Sequence, residues 1–137
     1  PDSKFLIGLD LRKSPDILVP AYDDAQGVTA AFNLNLLKRI NRDLEGDFDL
    51  EAFRHEAIWN DDASRIEMHL RSLKPQTVRS STKTISFDQG ETIHTENSRK
   101  FDLTKFVTLL GATGWSLSKD WRDDRGYFAV LMLEADA

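Results

Sequence analysis

The sequence has 137 residues, 40% of them hydrophobic, which suits one domain with a core or a large part of one. Its formal net charge of −5 gives no electrostatic basis for binding nucleic acid or an anionic membrane surface. The chain contains no cysteine, which excludes disulfide bonds and thiolate metal sites, and no apolar run long enough to span a bilayer. We therefore expect a cytoplasmic protein without nucleic-acid or membrane partners.

The first part of the chain predicts a strand and two helices. Residues 5–11, FLIGLDL, are typical of a strand buried on both faces in a parallel sheet. Ser14 followed by Pro15 favours a helix start, and that helix runs toward Tyr22. A stronger helical pattern covers residues 28–44. Its predicted inward face consists of Phe32, Leu36, Leu37, Ile40 and Leu44.

The middle of the chain changes from helical to strand periodicity. Leu50, Phe53 and Ala57 favour one more short helix. Residues 64–72 then alternate apolar with polar side chains, which predicts a strand with one solvated face. Residues 76–98 continue as β-structure, with a turn at DQG that predicts a hairpin.

The last part of the chain predicts a helix and a hairpin. The helix covers residues 102–110, with Phe106, Leu109 and Leu110 facing inward, and residues 115–133 form two strands around DDRG. The resulting order is strand, helices, antiparallel block, helix and hairpin. An α+β insert between parts of an α/β sheet has this order.

The segment 91-ETIHTENSRKF-101 is unusually polar for a half-buried strand. Ile93 is its only apolar residue before Phe101, so the segment is either a solvated edge or the lining of a polar pocket.

Five stretches together carry a family resemblance that spans nearly the whole chain. They are 6-LIGLDLRK-13, 21-AYDDAQGVTAAFNLNLL-37, 65-RIEMHL-70, 89-QGETIHTENSRKF-101 and 122-RDDRGYFAV-130. In this order they resemble the C-terminal half of the histidine-specific, S-adenosylmethionine-dependent methyltransferases. These enzymes trimethylate the α-amine of L-histidine in ergothioneine biosynthesis.

The resemblance implies an α/β fold in which an α+β substrate domain is inserted in the C-terminal part of a class I methyltransferase sheet. Residues 1–20 would be a late strand and helix of that sheet, 21–100 the substrate-binding domain, and 101–137 the closing helix and β-hairpin. The chain has no glycine-rich GxGxxG loop. We therefore expect a fragment whose S-adenosylmethionine site lies mostly in a missing N-terminal half of the same protein, and which is inactive alone.

The resemblance also implies which residues bind the amino-acid substrate. Glu96 and Ser98 match the family residues that bind the imidazole, and Tyr22 matches the one that binds the carboxylate. Met68 is a candidate wall of the pocket. Imidazole offers one N–H donor and one acceptor, which a carboxylate and a hydroxyl can satisfy. Methyl transfer requires positioning of the amine rather than a nucleophile of the enzyme, so no catalytic residue is assigned in this chain.

Several alternatives remain open at the level of sequence. The substrate could instead be a tryptophan-derived amine, or the chain could be a non-catalytic amino-acid-binding or assembly module. Glu96 and Ser98 could form a solvated strand face, Met68 could be plain core, and Asn33 and Asn35 favour a structural role within their helix.

Two further expectations concern metals and assembly. The spacing of His55, His69 and His94 fits no zinc pattern, so we expect no metal site, although His69 and His94 could be neighbours on paired strands. An apolar strand at residues 5–11 without parallel neighbours would expose an edge, which predicts self-association of the fragment.

Overall fold

The computed structural model describes residues 3–81 and 83–136, which form helices and strands in about the predicted order. The helices are α1 (Pro15–Tyr22), α2 (Val28–Asp43) and α3 (Leu103–Gly111), with a 3-10 turn at Leu50–Ala52. The strands are β1 (Lys4–Asp10), β2 (Phe53–Asn60), β3 (Arg65–Ser72), β4 (Gln76–Ser80), β5 (Lys83–Phe87), β6 (Thr92–Arg99), β7 (Trp115–Arg122) and β8 (Phe128–Ala135). Among the described helices, none combines the length and apolar character that crossing a membrane requires.

The chain divides into two compact units, which we call the terminal unit and the central unit. The terminal unit comprises the described parts of residues 1–14, 61–65 and 99–137, and the central unit comprises residues 15–60 and 66–98. By this division α1 groups with the residues that follow it. The assignment of residues 1–20, 21–100 and 101–137 to functional domains stays a prediction.

The terminal unit is built on a sheet of order β1-β8-β7 with both pairings antiparallel. The predicted β7–β8 hairpin is confirmed. Its turn is fixed by Asp123, which accepts backbone hydrogen bonds from Arg125, Tyr127 and Phe128. The apolar residues of this sheet pack with α3 around a core of Leu9, Leu11, Ala129, Leu131 and Leu133.

The prediction of a parallel β1 buried on both faces is wrong for the described residues. β1 pairs antiparallel with β8, from Lys4 opposite Glu134 to Asp10 opposite Phe128. Phe5 is 48% exposed and Leu6 57% exposed, so adjacent residues on opposite faces are both open. An apolar run identifies a strand, but which neighbours cover it is a non-local property.

The helix of the terminal unit begins one residue later than predicted and buries a narrower face. Asp102 caps it by accepting a hydrogen bond from the backbone N–H of Lys105. Phe106 and Leu110 pack against the core as predicted. Leu109 does not, because it lies about 100° around the helix from Leu110 and is 62% exposed.

The central unit contains a sheet of order β2-β3-β6 and a separate antiparallel pair, β4 and β5. The predicted hairpin at the DQG turn is therefore wrong, because β5 pairs with β4 while β6 pairs with β3. The turn instead leads from one sheet to the other. It is held by hydrogen bonds from Gly90 N–H to Ser72 O and from Ser72 N–H to Glu91 O. Thr82, within the predicted β-segment 76–98, lies outside the described residues.

The helix predicted around Leu50 to Ala57 is also wrong. After the single 3-10 turn the chain enters β2, where Phe53, His55 and Ala57 are buried and alternate with exposed or half-buried residues. Three apolar residues at spacings of three and four match a helix. From Phe53 onward the sequence also matches a strand, because Phe53, His55 and Ala57 lie at every second position and can face the same side.

Helix α2 forms where predicted, and its predicted inward face is confirmed in part, because Leu37 is buried and Ile40 packs against the core of the central unit. Asn33 and Leu37 are the buried residues of this helix, at 1% and 2% exposure, whereas Phe32 is 65% exposed and Leu44 50% exposed. Asn33 thus takes the buried position predicted for Phe32, one residue or about 100° around the helix. A polar residue can occupy this buried position because its amide bonds to His55 on β2 and to the His69 carbonyl on β3.

We expect the N-terminus of α2 to make the protein acid-sensitive through Asp24. Its carboxylate accepts hydrogen bonds from the backbone N–H groups of Thr29 and Val28, at 2.8 and 3.0 Å. The bonds to Thr29 are the largest cause that lowers the pKa of Asp24 from 3.8 to about 2. A lowered pKa stabilises the fold above the unfolded-state pKa, and this stabilisation is lost as the pH falls from about 4 to about 2.

Denaturant unfolding of wild type and Asp24→Asn over this pH range tests the expectation. The asparagine keeps an acceptor but has no charge to titrate, so the free-energy difference between the two proteins should shrink as the pH falls. Asp62→Asn, at an exposed position, serves as the control. A constant difference between wild type and Asp24→Asn would contradict the assignment.

We also expect the chain studied alone to self-associate through β1. Among the described strands β1 has β8 as its one partner, and it exposes Phe5 and Leu6. Leu6→Lys should lower the mass measured by light scattering at high protein concentration. Leu73→Lys, at a position 41% exposed in the central unit, should not. A wild-type chain that is monomeric throughout would refute the expectation.

Candidate functional site

Two predicted substrate-binding residues meet in the central unit. Tyr22 is the last residue of α1 and Ser98 lies near the end of β6, 76 residues further along the chain. The Tyr22 Oη and Ser98 Oγ atoms are 2.7 Å apart, a normal hydrogen-bond distance for two hydroxyls. Both residues are half-buried, so the pair is reachable from solvent.

Met68 lies in the apolar cluster against which Tyr22 packs. It is 4% exposed and shares this cluster with Leu18, Ala57 and Ile66. The cluster thus fixes the base of the Tyr22 ring while its hydroxyl reaches Ser98. The location of Met68 suits a core residue, and its role as a pocket wall stays a prediction.

Glu96 is separate from this pair. Its side chain is exposed, and its carboxylate has no hydrogen-bond or ion-pair partner among residues 3–81 and 83–136. Exposure does not alternate here, because Glu96 and Asn97 are both exposed and Ser98 is half-buried. The structure therefore brings Tyr22 and Ser98 together but leaves the Glu96 carboxylate without a contact to either.

A buried polar relay holds the backbone at Tyr22. The Asn33 amide nitrogen lies 3.0 Å from His55 Nδ1 and 3.2 Å from the His69 carbonyl oxygen. His55 Nε2 lies 2.7 Å from the Tyr22 carbonyl oxygen. A carbonyl oxygen only accepts, so His55 donates from Nε2, and Nδ1 of the neutral ring accepts from Asn33. The His69 carbonyl oxygen also only accepts, so the Asn33 side chain must direct its NH₂ group, rather than Oδ1, toward it.

His55 is the positioning residue that the sequence prediction missed, whereas Asn33 has the structural role that was expected of it. Asn33 Oδ1 is buried and has no hydrogen-bond partner among the described residues, so this site tolerates a cost to keep the two donor bonds. The sequence did contain a signal for a buried Asn33, because it lies four residues before Leu37 and therefore on the same face of the helix. A buried amide there indicates partners on the strands beneath it.

One cavity in the described part of the central unit does not coincide with the predicted site. This cavity of about 510 Å³ is lined mainly by apolar residues of α2, β5 and β6, and by none of the four predicted substrate-binding residues. An amino acid would find few hydrogen-bond partners there, which makes this cavity a poor amino-acid site. The Tyr22–Ser98 pair remains the better candidate.

The described glycines do not form a cradle for S-adenosylmethionine. A Cβ added at Gly27, Gly114 or Gly126 would meet no atom within 4 Å, and these three have the positive φ of ordinary turns. Gly8 and Gly46 instead pack against side chains of their own units. The described residues of this chain therefore do not fit the cofactor's binding loop, and we derive no step through it.

Comparison with known proteins places this chain in a family. Residues 1–135 match the family model described as histidine-specific methyltransferase, SAM-dependent. The chain therefore belongs to the histidine-specific, S-adenosylmethionine-dependent methyltransferases, which confirms the resemblance found in the sequence.

Two curated relatives carry a more particular name. Proteins called histidine N-alpha-methyltransferase from Mycolicibacterium smegmatis and Mycobacterium tuberculosis are each 46% identical to this chain over 134 residues. The match covers 96% of this chain and 42% of each relative. The chain thus spans less than half the length of these two relatives.

A double-mutant cycle tests whether the Tyr22–Ser98 hydrogen bond forms in solution. Tyr22→Phe, Ser98→Ala and the double variant should show a coupling of about 0.5–1.5 kcal/mol in the free energy of unfolding. Tyr127→Phe combined with Ser98→Ala is the control, since Tyr127 belongs to the terminal unit. A coupling near zero for the Tyr22 and Ser98 pair would show that the contact does not persist.

Proposed function

We propose that the protein to which this chain belongs is an L-histidine Nα-methyltransferase, and that this chain supplies its amino-acid-binding part. S-adenosylmethionine supplies the electrophilic methyl group when bound. Family membership and the shared name of both mycobacterial relatives support the proposal. The hydrogen bond between Tyr22 and Ser98 is the structural observation that carries the proposal. It joins the stretch 21-AYDDAQGVTAAFNLNLL-37 to the stretch 89-QGETIHTENSRKF-101 at one point.

The mixed helices and small antiparallel sheets suit an α+β substrate domain. In the proposed whole protein, this domain is inserted in a class I methyltransferase sheet. The cofactor half then lies in the part of the relatives that this chain does not span. That half is the principal partner of the chain, together with the amino-acid substrate.

The two hydroxyls set the direction of hydrogen bonding to an imidazole. Each hydroxyl has one proton, so within the pair one hydroxyl donates and the other accepts. If Tyr22 donates to Ser98, a bound histidine would present its unprotonated ring nitrogen as an acceptor for the Ser98 hydroxyl. The opposite ring nitrogen, which carries the proton, donates to the Glu96 carboxylate. The Glu96 carboxylate has no hydrogen-bond or ion-pair partner among the described residues, so no such bond has to be broken for this contact.

This pattern favours imidazole over indole. Indole has one N–H donor and no nitrogen acceptor, so it would offer nothing for the Ser98 hydroxyl to donate to. A site built to satisfy both ring nitrogens discriminates strongly, because an unmatched buried polar group costs about 1–3 kcal/mol. A tryptophan-derived amine is therefore the competing substrate to test.

The role of Tyr22 can be separated from that of Ser98 with histamine, which has the imidazole and amine of histidine but no carboxylate. A Tyr22 that binds the carboxylate must direct its proton away from Ser98. Tyr22→Phe would then weaken binding of L-histidine and leave binding of histamine unchanged. If Tyr22 acts only by orienting Ser98, the same substitution weakens both ligands equally.

We predict that Glu96→Gln weakens L-histidine binding to the intact protein about 10- to 100-fold. The reason is the loss of a charge-assisted hydrogen bond, worth about 1.5–3 kcal/mol. Isothermal titration with L-histidine measures the loss, and L-tryptophan is the comparison ligand. Glu45→Gln, at an exposed glutamate, provides the matched control.

Two outcomes would overturn the assignment. If Glu96→Gln binds histidine as wild type does, Glu96 is not an imidazole ligand. If wild type prefers the indole compound, the proposed substrate is wrong.

A further inference from the structure

Three side chains outside the proposed substrate contacts form a cluster of metal-ligand type. Glu67 and His69 stand two apart on β3, and His94 lies on the neighbouring strand β6. The imidazole rings of His69 and His94 stack, with centroids 4.5 Å apart and planes at 20°, which confirms the predicted neighbourhood. One ligand atom from each of the three lies within 4.8 Å of the others.

We propose that Glu67, His69 and His94 bind a divalent transition-metal ion such as Zn²⁺. Two imidazoles and one carboxylate form a donor set that selects Zn²⁺, Ni²⁺ or Cu²⁺ over Mg²⁺ or Ca²⁺. Three protein ligands leave a fourth position for water or another ligand, as in an open zinc site.

The Glu67–His69 edge already comes close to the spacing of a tetrahedral zinc site. Zn–N and Zn–O bonds of about 2.0–2.2 Å at a tetrahedral angle separate two ligand atoms by about 3.3–3.6 Å. Glu67 Oε2 and His69 Nε2 are 3.2 Å apart. A metal ion would replace the proton that these two atoms share, and neither side chain would need to move far.

His94 is oriented as metal-bound histidines commonly are. Its Nε2 lies 2.8 Å from Asn97 Oδ1 and 3.2 Å from the Glu96 carbonyl oxygen. Both atoms accept in this arrangement, so Nε2 carries the proton and the Nδ1 lone pair is left for an ion. A histidine ligand usually donates its other N–H to such an oxygen, which fixes the tautomer and the ring. His94 is exposed, so its ring can close the remaining distance.

The neighbours of the other two ligands predict the strength of binding. The Asn60 amide donates to Glu67 Oε1 at 2.9 Å, and Glu67 Oε2 lies 3.2 Å from His69 Nε2. His69 Nδ1, by contrast, is buried without a hydrogen-bond partner among the described residues. Binding through Nε2 places a proton on this isolated nitrogen, at a cost of about 1–3 kcal/mol, so affinity should be below that of a fully supported site.

Sequence spacing could not reveal this cluster, because the third ligand comes from another strand. Glu67 and His69 are separated by one residue, whereas His94 follows 25 positions after His69. The expectation that the chain binds no metal rested on that spacing and on a methyl-transfer chemistry that needs no metal. Strand pairing between β3 and β6 is what joins the three residues.

Titration of the intact protein with ZnCl₂, compared across variants, tests the proposal. Wild type should bind one Zn²⁺ more per chain than His94→Ala or Glu67→Gln, or bind it at least about tenfold more tightly. Glu45→Gln should bind as wild type, and MgCl₂ should not compete. His94 is exposed, so its removal should leave the unfolding midpoint in denaturant unchanged.

A second measurement locates the ion. Co²⁺ in substoichiometric amount should broaden the imidazole NMR signals of His69 and His94 before that of His55, which is engaged in the buried relay. Equal binding by wild type and both variants would mean an adventitious ion only and would overturn the proposal. Broadening of His55 first would do the same.

Discussion

The central unit depends on one buried amide, that of Asn33. This side chain is 1% exposed and donates to His55 on β2 and to the backbone of β3 at His69. A helix whose buried face carried only apolar residues could shift along the sheet at modest cost. Two directional bonds fix α2 against both strands, because removing the amide would leave a buried carbonyl and a ring nitrogen unsatisfied at about 1–3 kcal/mol each.

This constraint extends to the proposed substrate contact. His55 accepts from Asn33 and donates to the Tyr22 carbonyl, so the end of α1 is held by the residue that α2 positions. Asp24, two residues after Tyr22, accepts the backbone hydrogen bonds of Val28 and Thr29 and so fixes the start of α2. Asp24 and Asn33, both within the motif from Ala21 to Leu37, therefore hold α2 in place. Through His55 this also fixes the end of α1, where the Tyr22 hydroxyl lies beside Ser98.

Elements with a strong local pattern were predictable from the sequence. Ser14-Pro15 and the apolar spacing gave α1 and α2, alternation gave β3, and DDRG gave the β7–β8 hairpin. The errors occurred where a local pattern allowed two structures. Leu50, Phe53 and Ala57 fit a helix or a strand, and only packing against α2 and β3 distinguishes them. Asn33 rather than Phe32 is buried because its amide bonds to His55 and to the His69 carbonyl on the strands beneath the helix. A rule based on apolar spacing does not include such polar partners.

The sequence by itself determined the family, the family's substrate class and the residue types of the candidate site. Those depend on motifs such as AYDD and GETIHTENS, whose side chains are fixed by chemistry rather than by fold. The tertiary structure decided which of these side chains meet: Tyr22 with Ser98, Asn33 with His55, and His69 with His94. Among the described residues, it also leaves the Glu96 carboxylate without a hydrogen-bond or ion-pair partner and pairs β1 antiparallel with β8. The physical reason is that strand pairing and helix docking bring together residues tens of positions apart, and their hydrogen bonds depend on distance in space rather than along the chain.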